Sequence, residues 1–153
     1  MKTIACLLIA IQLYAFDSFN YFSVGGGASN RYDYAFVPSL SYGHRFLFGR
    51  HCCDIQAGAQ VSNHYQGLYG QCAYLNFPFP PEHLYLGTGL RSGVGHHERH
   101  VKPFYSIPLL LGFQFQTAAG KRHFIQSDVN LPYFKYTYQF PMPLVAIHYG
   151  FEY

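Results

Sequence analysis

The chain closes on "LVAIHYGFEY", residues 144–153, and the alternation in it is unbroken. Val145, Ile147, Tyr149, Phe151 and Tyr153 are bulky and apolar, while Ala146, His148, Gly150 and Glu152 between them are small or polar. Side chains that share a face at every second residue define a β-strand. This strand has two unlike faces, one bulky and apolar, the other small or polar.

Working back along the chain, seven more runs show the same period. "YFSVGGGAS" sets Phe22 and Val24 against Ser23 and Gly25, and "FVPSLSYGHRF" sets Leu40 and Tyr42 against Ser41 and Arg45. "CDIQAGAQVS" sets Ile55 and Val61 against Asp54 and Gln56, while "LYGQCAYLNF" is strand-like with no clear phase. "LYLGTGLRSG" sets Leu84, Leu86 and Leu90 against Tyr85, Gly87 and Arg91. "SIPLLLGFQFQ" carries Leu109, Leu111, Phe113 and Phe115 on one face, and "FIQSDVNL" sets Ile125 and Val129 against Gln126 and Asp128. Compact turns follow the second, fourth and sixth runs ("FGRHC", "PFPPEH", "AAGKR"). Longer connections, such as "GVGHHERHVKPFY" and "PYFKYTYQFPMP", follow the odd ones. Eight runs with short turns at one end and long connections at the other predict an all-β, eight-stranded, antiparallel up-and-down barrel.

The composition suggests which face is outside. The chain has 153 residues, enough for one domain, and is 50% hydrophobic and 20% aromatic, with no Trp. Only 11% of residues are charged, against roughly 25% in an ordinary soluble domain. A soluble barrel would turn a Lys- and Glu-rich face to water. Here the less apolar face is mostly Gly, Ser, Gln and Asn, with isolated Arg45, Asp54, Arg91, Asp128, His148 and Glu152. Small residues fit the narrow inside of an eight-stranded barrel, and scattered charges fit an internal polar network. The bulky face would then meet lipid, making this a transmembrane barrel, the one kind of sheet that leaves no open edge in a bilayer. Arg45 is expected to pair with Asp54 or Glu152, because a lone buried charge costs several kcal/mol.

The first residues have the form of a secretory signal: Lys2, then the apolar "TIACLLIAIQLYA" ending at Ala15. Residues 1–15 are therefore expected to be a signal peptide and residues 16–153 the barrel. A net charge of +3 without a basic stripe gives no reason to expect nucleic acid as a partner.

The terminal pattern of Val145, Ile147, Tyr149, Phe151 and Tyr153 resembles the C-terminal recognition signal of bacterial outer-membrane β-barrels. As architecture, the whole mature chain is similar to the small OmpA/OmpX-type barrels. The resemblance implies a location in the bacterial outer membrane, with lipid and the barrel-assembly machinery as partners. It also implies a structural or surface-interaction role carried by extracellular loops. Two other functions fit a barrel of this size: a lipid-modifying outer-membrane enzyme, or a soluble secreted ligand-binding barrel.

Candidate chemistry is sparse, and neither a catalytic group nor a cofactor is expected. His96, His97 and His100, with Glu98, are the weak metal candidates, gathered in what reads as the longest outer loop. Ser62, Asn63 and His64 are adjacent, and Glu98 or Asp33 could orient the histidine. The order does not match the His-x-Ser-Asn motif of the lipid A deacylase barrels. Cys52, Cys53 and Cys72 are an odd set of exported thiols, with adjacent Cys52 and Cys53 poorly placed to bond each other, and they could cross-link to other envelope proteins.

Overall fold

Each alternating run becomes a strand in the computed structural model, which describes residues 17–28, 36–61, 66–79, 83–97, 100–132 and 143–153. The elements are β1 (Asp17–Ala28), β2 (Phe36–Phe48), β3 (His51–Val61), β4 (Gln66–Asn76), β5 (Leu84–His97), β6 (His100–Gln116), β7 (Arg122–Pro132) and β8 (Val145–Glu152). Consecutive strands pair antiparallel, and β8 pairs back onto β1 from Tyr21↔Glu152 to Ala28↔Val145, which closes the barrel. The β2–β3 turn is only Gly49 and Arg50; Gly49 takes φ 61°, as a primed two-residue hairpin requires of its first residue.

Register fixes the barrel's shape. From Gln114 the pairing passes through Phe124, Gly150, Ser23, Ser41, Gly58, Tyr69 and Gly93 and returns to β6 at Phe104, ten residues away. For eight strands that stagger tilts each strand about 40° from the barrel axis.

The two faces separate cleanly. Leu90 is 68% exposed, Ile147 61% and Leu111 49%, whereas Arg45 and Asp128 are 0% exposed. The Leu109/Leu111/Phe113 face points outward, and Arg45, Asp54, Arg91, Asp128 and the buried glutamines point in. Along β5 the exposed apolar positions run from Leu84 to Val94. At about 3.3 Å per residue and this tilt, the apolar wall is about 25 Å tall.

The interior is less uniformly small than its Gly and Ser content suggests. Tyr21, Tyr69, Tyr85, Phe104 and Phe124 all point inward and are buried. Each lies directly across a strand pair from a glycine: Gly43, Gly58, Gly112, Gly93 and Gly150, respectively. The ring fills the space that the glycine leaves. A methyl built on Gly112 would sit 2.6 Å from Tyr85 Cε2, and one on Gly150 2.6 Å from Phe124 Cε2. Both rings belong to the packed base of the barrel, so neither can swing away freely. Gly150→Val is therefore expected to lower stability by about 1–3 kcal/mol through overpacking. Ser127→Val, on the half-buried opposite face, should cost under about 1 kcal/mol. Urea unfolding of the two variants compares them directly.

One expectation fails at the β5–β6 connection. The segment read as a long loop is strand: Val94 pairs with Pro103, Gly95 with Lys102 and His97 with His100, so residues 98–99 alone join β5 to β6. The alternation continues through it, with Phe104 inside over Gly93 and Val94 and His96 outside. Ladder pairing of the backbone outweighs the local Gly and His content that reads as loop.

Candidate functional site

The inward face carries a connected polar network, placed on alternate positions of seven strands. Arg45 Nε lies 3.2 Å from Asp54 Oδ2, its register partner across the β2–β3 hairpin. The same guanidinium donates from Nη1 to Gln114 Oε1 at 3.1 Å and from Nη2 to Tyr85 Oη at 3.0 Å and Gln126 Oε1 at 3.1 Å. Its planar face rests 3.8 Å from the Phe124 ring centroid, with Tyr85 at 4.8 Å. A cation enclosed by rings keeps part of the stabilisation that it loses by leaving water. Tyr21 Oη donates to Asp54 Oδ1 at 2.6 Å, which satisfies the second carboxylate oxygen.

A second ion pair stands above the first. Arg91 Nη2 donates to Asp128 Oδ2 at 2.5 Å, and Arg91 Nε donates to Gln71 Oε1 at 2.8 Å. Gln126 Nε2 donates to Asp128 Oδ1 at 2.8 Å and so joins the two pairs. Two buried cations thus face two buried carboxylates, which cancels the charge inside the wall. Geometry this close is what a buried pair needs to offset its desolvation. Glu152 takes no part: it sits at the rim and accepts the backbone N–H of Arg122 at 2.9 Å.

His148 lies between Ser39 and Asp128, with Nδ1 3.4 Å from Ser39 Oγ and Nε2 3.5 Å from Asp128 Oδ2. They meet because Gly25, between them in register, has no side chain. The order is that of a nucleophile, base and orienter, but both separations exceed the 2.6–3.2 Å that proton transfer needs. The carboxylate is already engaged by Arg91 and Gln126. Neither a chemical reading of the sequence nor its spacing brings these three together, since they lie on β2, β7 and β8.

The remaining candidates divide. Ser62, Asn63, His64, Asp33 and Glu98 lie outside the described residues, as do the side chains of His97 and His100. His97 and His100 are register partners beside the β5–β6 turn, and His96 is exposed on the outer wall. Among the described residues no group of three or more His, Cys, Asp or Glu is placed to hold a metal ion. Among the described residues the three cysteines are free: Cys52 is buried inside, while Cys53 and Cys72 share the outer wall of β3 and β4. The terminal set is on the outer wall, where Tyr153 packs 5.0 Å from Phe22 and donates to Tyr42 Oη at 3.1 Å. Val145, Ile147 and Tyr149 continue it, all exposed, and Phe151, half-buried, packs 6.3 Å from Phe22.

The geometry defines a closed, eight-stranded up-and-down barrel with an apolar outer wall and a charge-balanced polar interior. Compared with protein-family models, curated proteins and solved structures, the chain has no match.

Proposed function

We propose that this chain is an integral barrel of the bacterial outer membrane, with a structural or surface-interaction role carried at its long-connection end. One observation supports this above all: the apolar side chains point out and the charged ones point in. Water would favour the reverse arrangement. A soluble monomer rarely exposes a contiguous apolar patch larger than a few hundred Å², whereas here such side chains run round the whole wall. Its height of about 25 Å matches the apolar band of outer-membrane barrels. Closure also satisfies every strand edge, as a bilayer core demands. The barrel-assembly machinery is the partner that the terminal pattern suggests. Cys53 and Cys72 stand where a neighbouring envelope protein could be cross-linked.

The test is expression in an outer-membrane host. The protein should remain in the membrane fraction after an alkaline wash and change its gel mobility on heating. Deleting Tyr153 together with Phe151→Ser should lower the inserted yield about tenfold or more. Two rings leave the wall, each worth roughly 1.5–3 kcal/mol when fully buried, and the closing strand loses its terminal pattern. Ala146→Ser, on the inward face, should insert at close to the normal level. Release of the normal chain by the alkaline wash would contradict the proposal.

A further inference from the structure

The two ends of the outer wall differ. At the short-turn end four outward histidines each contact an aromatic ring. His44 lies 4.3 Å from Phe46, His51 5.7 Å from Tyr74, His83 5.5 Å from Phe113, and His123 5.5 Å from Phe115 (ring centroids). In all four it is Nδ1 that bonds within the protein. His44 Nδ1 donates to Asn20 Oδ1 at 2.8 Å, and His83 Nδ1 donates to the Gln114 carbonyl at 3.0 Å. His51 and His123 bond the hydroxyls of Tyr74 and Tyr149. Among the described residues none is hydrogen-bonded to Nε2 of any of the four, so each ring is held through Nδ1 and its aromatic neighbour.

The described side chains at this rim carry three positive charges and two negative ones, a net of +1. Arg50 and Lys121 stand exposed on the turns. Asp17 pairs with the Arg122 guanidinium, while Glu152 accepts only the neutral Arg122 backbone N–H and keeps its charge. Glu82, next to His83, lies outside the described residues. On the elements packed against the four rings, the facing groups are Asn20 and Ile55 at His44, Phe48, Tyr74 and Asn76 at His51, Phe113 and Gln114 at His83, and Phe115, Tyr149 and Phe151 at His123. None of these is a carboxylate. At the other end the described outer wall exposes Val61, Leu68, Val101 and Val145, together with Phe36 and His96.

We propose that the short-turn rim is a docking surface for the phosphate-bearing headgroups of anionic phospholipids in one leaflet. Arg50 and Lys121 supply constant charge, and the four histidines supply charge that grows as the pH falls. The aromatic rings place each imidazole at the depth where rings and polar tips meet headgroups. His44 and His83 have already committed Nδ1–H to a carbonyl oxygen. Their Nε2 is therefore a lone pair when the ring is neutral and becomes a donor to phosphate only on protonation. Basic side chains near an anionic surface each contribute measurably to binding.

The inference rests on the membrane reading, and the experiment separates the two. The refolded full chain is placed in phosphatidylcholine vesicles, with and without phosphatidylglycerol, at pH 5.5 and pH 7.5. The readout is the temperature at which the folded gel mobility is lost. Phosphatidylglycerol should raise it at both pH values, and by about 5 °C more at the lower pH. The quadruple variant H44Q/H51Q/H83Q/H123Q should lose this extra increment and keep the rest, and R50Q/K121Q should do the opposite. The pair H44Q/H83Q alone, a milder change, should lose part of the increment, which guards against a quadruple variant that does not fold. Equal midpoints with and without phosphatidylglycerol would overturn the inference, as would a pH increment that survives in both histidine variants. Inorganic phosphate reproducing the shift in pure phosphatidylcholine would overturn it too, in favour of a free-anion site. Failure to enter phosphatidylcholine vesicles at all would instead overturn the membrane reading.

Discussion

Leu109→Arg combined with Leu111→Arg is expected to abolish insertion of the barrel. Both side chains stand on the outer wall of β6, 45% and 49% exposed, midway between the rims. An arginine on the lipid face at the bilayer midplane costs roughly 2–4 kcal/mol. Two of them approach the whole stability of a typical domain, about 5–15 kcal/mol. Gln116→Arg, on the same strand but at the short-turn rim, should cost no more than about 1 kcal/mol, since the penalty fades at the interface. Inserted yield and heat-modifiable mobility report both variants. A soluble barrel gives the reverse result: the double arginine replaces exposed leucines by charges and raises solubility.

The second large effect is expected inside. Asp128 accepts from Arg91 at 2.5 Å and from Gln126 at 2.8 Å, and it lies fully buried. Asp128→Leu leaves the Arg91 guanidinium without a counter-charge, which costs about 3–5 kcal/mol. Adding Arg91→Met should recover most of the loss, because a buried ion pair replaced by apolar groups is often neutral. Urea unfolding in vesicles of the two single variants and the double one closes the cycle. Additive losses would mean that the two residues do not act as a pair. Asp17→Asn breaks an exposed pair with Arg122 and should change stability by less than about 1 kcal/mol.

The barrel is legible where its two faces differ most. Leu84, Leu86 and Leu90 against Tyr85, Gly87 and Arg91 leave little choice of phase, and short turns at one end complete the topology. β4 resists the same treatment because Tyr69, Leu75 and Phe77 inside are as bulky as Leu68 and Tyr74 outside. Phase there is set by partners on other strands, such as Gly58 opposite Tyr69, which a single run cannot display. The polar interior divides in the same way. Arg45 and Asp54 flank one hairpin turn and face each other by register, so their pairing follows from the turn. Arg91 and Asp128 sit on β5 and β7, which do not pair, and meet only because the closed barrel is narrow. The histidine rim is likewise invisible in sequence. His44, His51 and His123 lie on three strands and His83 on the turn before β5, and they gather only on closure.

The orientation of the apolar wall relative to lipid is the central claim, and paramagnetic broadening tests it most directly. The refolded protein, with methyl groups labelled on leucine and isoleucine, is placed in bilayer discs. A spin label near the end of a lipid chain is then compared with a water-soluble paramagnetic chelate. The methyl signals of Leu86, Leu90, Leu111 and Ile147 should broaden with the lipid label and be untouched by the chelate. Broadening of these same signals by the chelate, with none from the lipid label, would show that the wall faces water and would contradict the account.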